Sequence, residues 1–157
     1  MAKWVGQIAF IQIAAMATEK LVLVREVQAV AGEGLEGDRY FKKIGTYSNL
    51  PGGGRQVTLI ELESVKALKR DLKIGLEPAQ TRRNIVTRDV PLNHLVGRQF
   101  RLGRKVVLQG VRLCEPCNHL ESLTLKGVRD GLLHRAGLRA DIMTGGIIRV
   151  GDSVTPV

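Results

Sequence analysis

Residues 106–120 read VVLQGVRLCEPCNHL, and this stretch predicts a strand that leads directly into a loop carrying both cysteines of the chain. Valine and leucine dominate its first eight residues, as is typical of a strand buried on at least one face. Pro116 has no backbone N–H to donate, so strand pairing should end before it. We therefore expect Cys117 to lie just past a rigid strand, where a thiol can bind a metal or carry sulfur.

The flanking sequence alternates short strand patterns with glycine-rich turns. Alternation in the first strand predicts Ile8 and Phe10 on one face and Ile11 and Ile13 on the other. Residues 61–72 form the clearest helix pattern, with leucines and a valine at helical spacing. Many short strands with two or three short helices predict a mainly β, barrel-like fold, which we expect to be one domain over residues 1–157. Besides the run into Cys114, strands are predicted at residues 7–15, 21–24, 26–30, 56–60, 82–87 and 97–102 and after Gly145-Gly146, with helical pieces at 91–95 and within 119–137.

The charge of the chain favours an anionic partner. Its 157 residues carry a formal net charge of +9 at pH 7, which suits a phosphorylated cofactor, nucleic acid or an acidic substrate. Only 4% of the residues are aromatic, which argues against a surface that stacks bases and makes nucleic acid the less favoured partner. No apolar run approaches the roughly 20 residues that span a bilayer. The N-terminal apolar stretch is broken by Gln7 and Gln12, unlike a signal peptide, so we expect a cytoplasmic protein with no membrane attachment.

The Cys114-Glu115-Pro116-Cys117 motif permits three functional interpretations. A structural zinc site needs four ligands, and only His119 lies near the two cysteines in sequence. A thioredoxin-like redox pair also follows a strand, but it requires βαβ units that the predicted order of elements does not provide. The third interpretation is a reactive thiolate on Cys117 that binds a transition metal or carries a persulfide. The structural alternative is a pair of small buried residues, but a cysteine pair around proline in a loop favours function.

Three further segments carry residue types that could serve a function. Arg82 and Arg83 offer planar guanidinium groups for phosphate, and Asn84 offers both a donor and an acceptor for a heterocycle; the alternative is a solvated basic pair. Asp38 is predicted to cap the glycine-rich turn by accepting hydrogen bonds from backbone amides. The loop TYSNLPGGG at residues 46–54 lacks the lysine and hydroxyl residue of a Walker loop, and we interpret it as a flexible connection.

Taken together, these segments resemble the MOSC domain, named for the C-terminal part of molybdenum-cofactor sulfurase. The match covers most of the chain, and the order and spacing of its segments are more specific than any one of them. The matching segments are GLEGDR at residues 34–39, RQVTLIE at 55–61, RNIV at 83–86, LVG at 95–97, FRLG at 100–103, PC at 116–117 and GGIIRVGD at 145–152.

The resemblance implies a β-barrel fold with a pocket for the molybdopterin form of the molybdenum cofactor, or for sulfur transfer to it. It implies that Cys117 is the metal ligand or sulfur carrier and that Arg83 and Asn84 lie at the pocket. The chain departs from the family pattern at Tyr40, where a histidine usually follows the Asp-Arg pair. The remaining candidates for cofactor binding are Arg39, Arg55, Arg82 and His119.

The leading hypothesis is therefore a cytoplasmic protein that binds the molybdenum cofactor or carries sulfur on Cys117. If it is an enzyme, we expect it to reduce N-oxygenated substrates with electrons from a separate reductase. The sequence has no desulfurase module, so sulfur is expected to come from a separate desulfurase. One alternative is a sulfurtransferase that uses a Cys117 persulfide without a pterin. Another is a basic β-barrel that binds RNA or another polyanion, with steeply salt-dependent affinity.

Overall fold

Seven strands close into a barrel in the computed structural model, which describes residues 3–50 and 52–157. The barrel order is β11-β7-β8-β9-β5-β6-β1, and the pairing of β1 with β11 closes it. This confirms the predicted mainly β, barrel-like fold. The barrel strands are β1 (Gly6–Ile13), β5 (Val57–Glu61), β6 (Ile85–Arg88), β7 (Gln99–Leu102), β8 (Val106–Leu113), β9 (Leu138–Thr144) and β11 (Ser153–Pro156).

The remaining elements lie outside the barrel. A short strand adds to β1, and three others form a separate antiparallel sheet. Three short helices and two 3₁₀ turns connect the strands. These elements are β2 (Val22–Val24), β3 (Glu26–Val30), β4 (Gly34–Leu35), β10 (Gly146–Arg149), α1 (Leu62–Leu72), α2 (Asn118–Ser122), α3 (Val128–Gly131) and the 3₁₀ turns Pro78–Thr81 and Leu92–Leu95.

Alternating residues of the barrel strands pack into two different hydrophobic clusters. Leu59 and Ile85 belong to the larger cluster, which also holds the fully buried Phe100. Their neighbours Ile60 and Val86 point the other way, into a second cluster formed with the three helices. The helices therefore cover one part of the outer barrel wall. The part beside them is left open for a cleft.

The first strand departs from simple alternation. Its pairing with β6 shifts register between Ile8 and Phe10, which is a β-bulge at Ala9. The extra residue turns the chain, so Ile8 and Ile11 both join the inner cluster while Phe10 packs against the second one. The prediction that Ile8 and Phe10 share a face was therefore wrong.

The predicted bounds of the helices and strands can also be compared with the structure. The predicted helix at residues 61–72 is confirmed as α1, and it ends where Lys73 adopts a left-handed backbone with φ of 58°. Strand β6 begins at Ile85, three residues later than predicted. Within the described ranges, no helix combines the length and apolar composition needed to cross a membrane.

Gly110 shows how closely the strands and turns approach one another. A Cβ built on Gly110 would lie 2.0 Å from the carbonyl oxygen of Leu95, inside the 3₁₀ turn. Only glycine leaves room for this approach. The contact fixes the middle of β8, the strand that leads to both cysteines.

Candidate functional site

A cleft opens on the outer wall of the barrel, beside the second hydrophobic cluster. It encloses about 430 Å³, including its mouth to solvent. Its lining includes four arginines, one cysteine, two tyrosines and one histidine. These residues are Arg39, Arg82, Arg83, Arg139, Cys117, Tyr40, Tyr47 and His119.

Cys117 occupies the end of the loop that follows β8. The strand ends at Leu113, and Cys117 is the residue immediately before α2. Its side chain packs partly against the second hydrophobic cluster, and its sulfur lies 3.2 Å from the Tyr47 hydroxyl oxygen. Cys114, by contrast, is only 2% exposed, and no disulfide joins the two cysteines. The structure thus places one thiol at the cleft and one in the interior.

Several contacts hold the cysteine loop against its surroundings. The backbone N–H of Cys114 donates to the Gly137 carbonyl, and Arg83 donates to the Cys114 carbonyl. Glu115 accepts a hydrogen bond from the backbone N–H of His134, and its carboxylate lies 2.7 Å from Nδ1 of the same histidine. The loop is therefore fixed on both sides of its first cysteine, as Cys117 requires if it is to be presented at a constant position.

The environment of Cys117 favours its thiolate. Burial by itself would raise the pKa of this thiol, but opposing contacts lower it below the ordinary value. The Tyr47 hydroxyl is the largest of these contacts, followed by the backbone N–H groups of Leu120 and His119 and by the positive charge of Arg83. A thiol with a lowered pKa is a better metal ligand and nucleophile at neutral pH.

Tyr47 is held by contacts on its ring as well as by its hydroxyl. Its ring meets the His119 ring edge to face at 6.5 Å between centroids, and the Arg139 guanidinium carbon lies 5.5 Å from its centroid. The hydrogen bond to Cys117, together with burial, raises the pKa of Tyr47 to about 12. The phenol is therefore protonated at neutral pH and is available to donate to the sulfur. Sequence reasoning missed this residue because it treated residues 46–54 as a flexible connection.

Three of the predicted cofactor-binding arginines line the cleft, and each of them also donates hydrogen bonds to protein oxygens. Arg83 donates from Nε to Ala136 and from Nη2 to Cys114. Arg39 donates to Asp38 and to the carbonyl of Arg82. Arg82 itself donates from Nη1 to the carbonyl of Glu19. The three side chains supply positive charge to the cleft while tying its walls together.

Asn84 and Arg55 are not among the residues that line the cleft. Asn84 is fully buried, and its amide joins β5 to β1, the two strands that flank β6. Its Oδ1 accepts from the N–H and hydroxyl of Thr58, and its Nδ2 donates to the carbonyl of Gln12. Arg55 donates from Nε to the carbonyl of Leu50. The structure therefore places His119 at the cleft but leaves Asn84 and Arg55 outside its lining.

Asp38 behaves as the turn residue that the sequence predicted. Its Oδ2 accepts from the backbone N–H of Tyr40, and its Oδ1 accepts from Ala14 and from Arg39. Asp38 is fully buried, and a buried carboxylate needs a partner of opposite charge. The Arg39 guanidinium supplies it. Tyr40, which departs from the family pattern, lies with its ring 4.8 Å from the Arg39 guanidinium carbon.

Arg139 is a cleft residue that was not among the predicted site residues. It projects from β9, opposite Thr58 of β5. Its Nη1 is buried and has no hydrogen-bond partner in the part of the chain that the structure describes. The alternation of LRADIMT could have identified it, since Leu138, Ala140 and Ile142 face the core and leave Arg139 facing outward.

The cleft offers a metal one soft ligand, the Cys117 thiolate, and not a complete set of protein ligands. Within residues 3–50 and 52–157, no group of three or more His, Cys, Asp or Glu side chains could hold a metal ion. A lone thiolate among guanidinium groups instead suits a metal that arrives with its own anionic ligand.

Comparison with known proteins agrees with the fold. The family model for the MOSC domain matches residues 43–155. The solved structure of YuaD from Bacillus subtilis superposes with a TM-score of 0.77 at 16% identity, covering 97% of each chain. YiiM from Geobacillus stearothermophilus gives 0.73 at 13% identity over 97% of this chain and 75% of that one. YiiM from Escherichia coli gives 0.69 at 15% identity over 100% and 70%. A search of curated protein sequences found no match.

Proposed function

The chain belongs to the MOSC domain family, and on that premise we propose that it binds the molybdopterin form of the molybdenum cofactor with Cys117 as a metal ligand. The observation that carries the proposal is the position of Cys117. Its thiol has a lowered pKa, contacts Tyr47 and lines a cleft with four arginines. A soft thiolate suits molybdenum, and guanidinium groups suit a phosphate-bearing pterin.

The residues of the cleft fit such a group on two counts. Cys117 is only partly buried and lines the cleft, so a metal held in the cleft could reach its sulfur. The buried Nη1 of Arg139 lacks an acceptor among the described residues, and a phosphate or pterin oxygen would supply one. When bound, the cofactor would supply the metal at which N-oxygenated substrates are reduced, with electrons from a separate reductase.

The roles of the chain's own side chains follow from their contacts. Cys117 would bind as a thiolate, and the Tyr47 hydroxyl would donate to its sulfur and hold its orientation. Arg83 would contribute positive charge while it anchors the cysteine loop through Cys114. His119 would flank the cleft beside the Tyr47 ring. We propose that the protein acts in the cytoplasm, where cofactor and reduced thiols are both present.

Cofactor binding is tested by producing the full chain in cells that make the cofactor. Molybdenum is measured by elemental analysis, and released pterin by fluorescence after oxidation. We expect near-stoichiometric molybdenum in the wild type and in Cys114→Ser, and a loss of at least about tenfold in Cys117→Ser. The Cys114 variant is the matched control because it removes the other thiol. Negligible molybdenum and pterin in all three proteins would refute the proposal.

Sulfur carriage is the second candidate, favoured by the same lowered pKa of Cys117. In this reaction the thiolate would attack the outer sulfur of a persulfide on a desulfurase. A Cys117 persulfide would form, and the desulfurase cysteine would leave as its thiolate. Intact-protein mass spectrometry after incubation with a desulfurase and cysteine should then show one added sulfur atom in the wild type and none in Cys117→Ser. The polyanion alternative makes a different prediction. It would be supported by RNA binding whose affinity falls steeply as the salt concentration rises and is equal in the wild type and in Cys117→Ser.

A further inference from the structure

The arginines around the cleft differ in how many acceptors the protein gives them. Arg39 and Arg83 each donate from two guanidinium nitrogens to protein oxygens. Arg139 packs over the Tyr47 ring, yet its buried Nη1 has no partner within the described ranges. A buried charged donor without an acceptor is costly. An acceptor on a bound molecule would remove this cost.

Arg112 lies beside Arg139 on the neighbouring strand. The two residues are direct partners in the antiparallel pairing of β8 with β9. Like charges placed opposite each other on adjacent strands are destabilising. Burial, followed by the charges of Arg139 and Arg55, lowers the pKa of Arg112. An anion bound between Arg112 and Arg139 would relieve this repulsion.

A glycine turn packs against the same pair of arginines. Arg112 donates from Nη1 to the Gly53 carbonyl at 2.6 Å. A Cβ on Gly54, whose φ is 79°, would lie 3.1 Å from the Arg139 Cβ and 3.3 Å from the Arg112 Nη1. Asp141 is the nearby carboxylate, and its Oδ1 accepts from the Gly54 N–H. One carboxylate faces two arginines here, so the local charge remains positive, and the turn packs against both arginine side chains.

We propose that Arg139 and Arg112 form an anion subsite that binds the phosphate ester group of the ligand whose reactive end lies at Cys117. Arg139 belongs to the cleft lining, and Arg112 is its direct partner on β8, next to that lining. The ligand would thus be an elongated phosphate monoester, anchored at one end by guanidinium groups and at the other by a thiolate. This assignment rests on the proposed function for the identity of the ligand. The sequence suggested Arg82 and Arg83 as the phosphate-binding residues. The proposal assigns this role to Arg112 on β8 and Arg139 on β9 instead.

The subsite is tested with the full chain purified from cells that do not make the cofactor. Inorganic phosphate is titrated into the protein by calorimetry at low ionic strength. We expect saturable binding that weakens by at least about tenfold in Arg139→Gln and in Arg112→Gln, since each substitution removes a charge-assisted hydrogen bond. Arg98→Gln is the matched control, because it removes one positive charge at an exposed position outside the cleft. Thermal unfolding of each variant shows whether it is folded.

Three results would refute the proposed anion subsite. Wild-type protein without saturable phosphate binding would refute it, as would equal weakening in Arg98→Gln, which would reveal a general effect of charge. Weakening in Arg82→Gln with unchanged binding in Arg139→Gln and Arg112→Gln would place the anion at the other wall. If Arg139→Gln does not fold, Arg112→Gln decides the matter. Cofactor binding is judged separately, by the molybdenum content of the wild type compared with that of Cys117→Ser, so the subsite can fail while the proposed function stands.

Discussion

Replacing Tyr47 with phenylalanine removes the hydroxyl that contacts the Cys117 sulfur. The two atoms are 3.2 Å apart, and this contact is the largest of those that lower the pKa of Cys117 against the opposing effect of burial. Phenylalanine keeps the ring that packs against His119 and Arg139. We therefore expect the Tyr47→Phe substitution to raise the pKa of Cys117 without rebuilding the cleft.

The size of the effect follows from the strength of the lost hydrogen bond. A hydrogen bond to a charged group contributes about 1.5–3 kcal/mol, and the lower end applies because Cys117 is partly exposed. About 1.4 kcal/mol corresponds to a roughly tenfold loss of thiolate at neutral pH. The remaining thiolate becomes more nucleophilic as its pKa rises, which recovers about half of the loss on a logarithmic scale. Alkylation at pH 7 should therefore slow about threefold.

Iodoacetamide alkylation between pH 5 and pH 10, in a Cys114→Ser background, measures this directly. The slowing should be present at neutral pH, and above the pKa of Cys117 in both proteins it should reverse, because the Tyr47→Phe thiolate is the more nucleophilic one. Tyr40→Phe is the matched control, since it removes a hydroxyl from the same cleft with no contact to the sulfur. An unchanged alkylation profile in Tyr47→Phe, or an equal change in Tyr40→Phe, would refute the role of the Tyr47 hydroxyl.

Three further outcomes test the same structure. In Cys117→Ser, absorbance titration should show the pKa of Tyr47 falling from about 12, although burial keeps it above the ordinary value. Asn84→Ala should lower the free energy of unfolding by about 3 kcal/mol, measured in urea, because it leaves buried strand groups without partners. Gly110→Ala should destabilise the protein by at least about 3 kcal/mol, because its Cβ would clash with a backbone carbonyl.

Each of these outcomes has a control within the chain. A Tyr40→Phe background isolates the Tyr47 titration, and an unchanged pKa of Tyr47 would contradict the contact with Cys117. Asn49→Ala, at an exposed loop position, should change stability by less than about 0.5 kcal/mol. Gly75→Ala should be neutral or slightly stabilising, because nothing lies within 4 Å of its Cβ. Asn84→Ala or Gly110→Ala as mild as its control would show that the interior contact is unimportant.

The sequence predicted those parts of the fold in which a single element carries its own hydrophobic pattern. Alternation and helical spacing identified α1 and most of the barrel strands, because each pattern spans a whole element. Strand β9 was not among the predicted strands, because the predicted helical pieces ran to Gly137 and the C-terminal strands were predicted only after Gly145-Gly146. The bulge at Ala9 was also beyond prediction, because register depends on the partner strand and not on the strand's own pattern.

The site was predictable only in part for a related reason. Cys117 stands out in sequence because two cysteines flank a proline at a strand end. Tyr47 precedes it by 70 residues, so their contact depends on how the loop after Gly45 folds over the barrel wall. Arg139 and Arg112 become a pair only through the register of β8 with β9. Sequence clustering favoured Arg82 and Arg83 instead, which are neighbours in the chain but point to different acceptors.

Arg83 shows why the positive charge at the cleft is inseparable from the fold. Loops that leave a sheet expose carbonyl groups with no strand partner, and Arg83 satisfies two of them, on Cys114 and Ala136. The same guanidinium lowers the pKa of Cys117 by its charge. A neutral residue at this position would therefore loosen the cysteine loop and weaken the thiolate together. Lysine would retain the charge but lose the planar fork that reaches both carbonyls, so comparing the two substitutions separates electrostatics from anchoring.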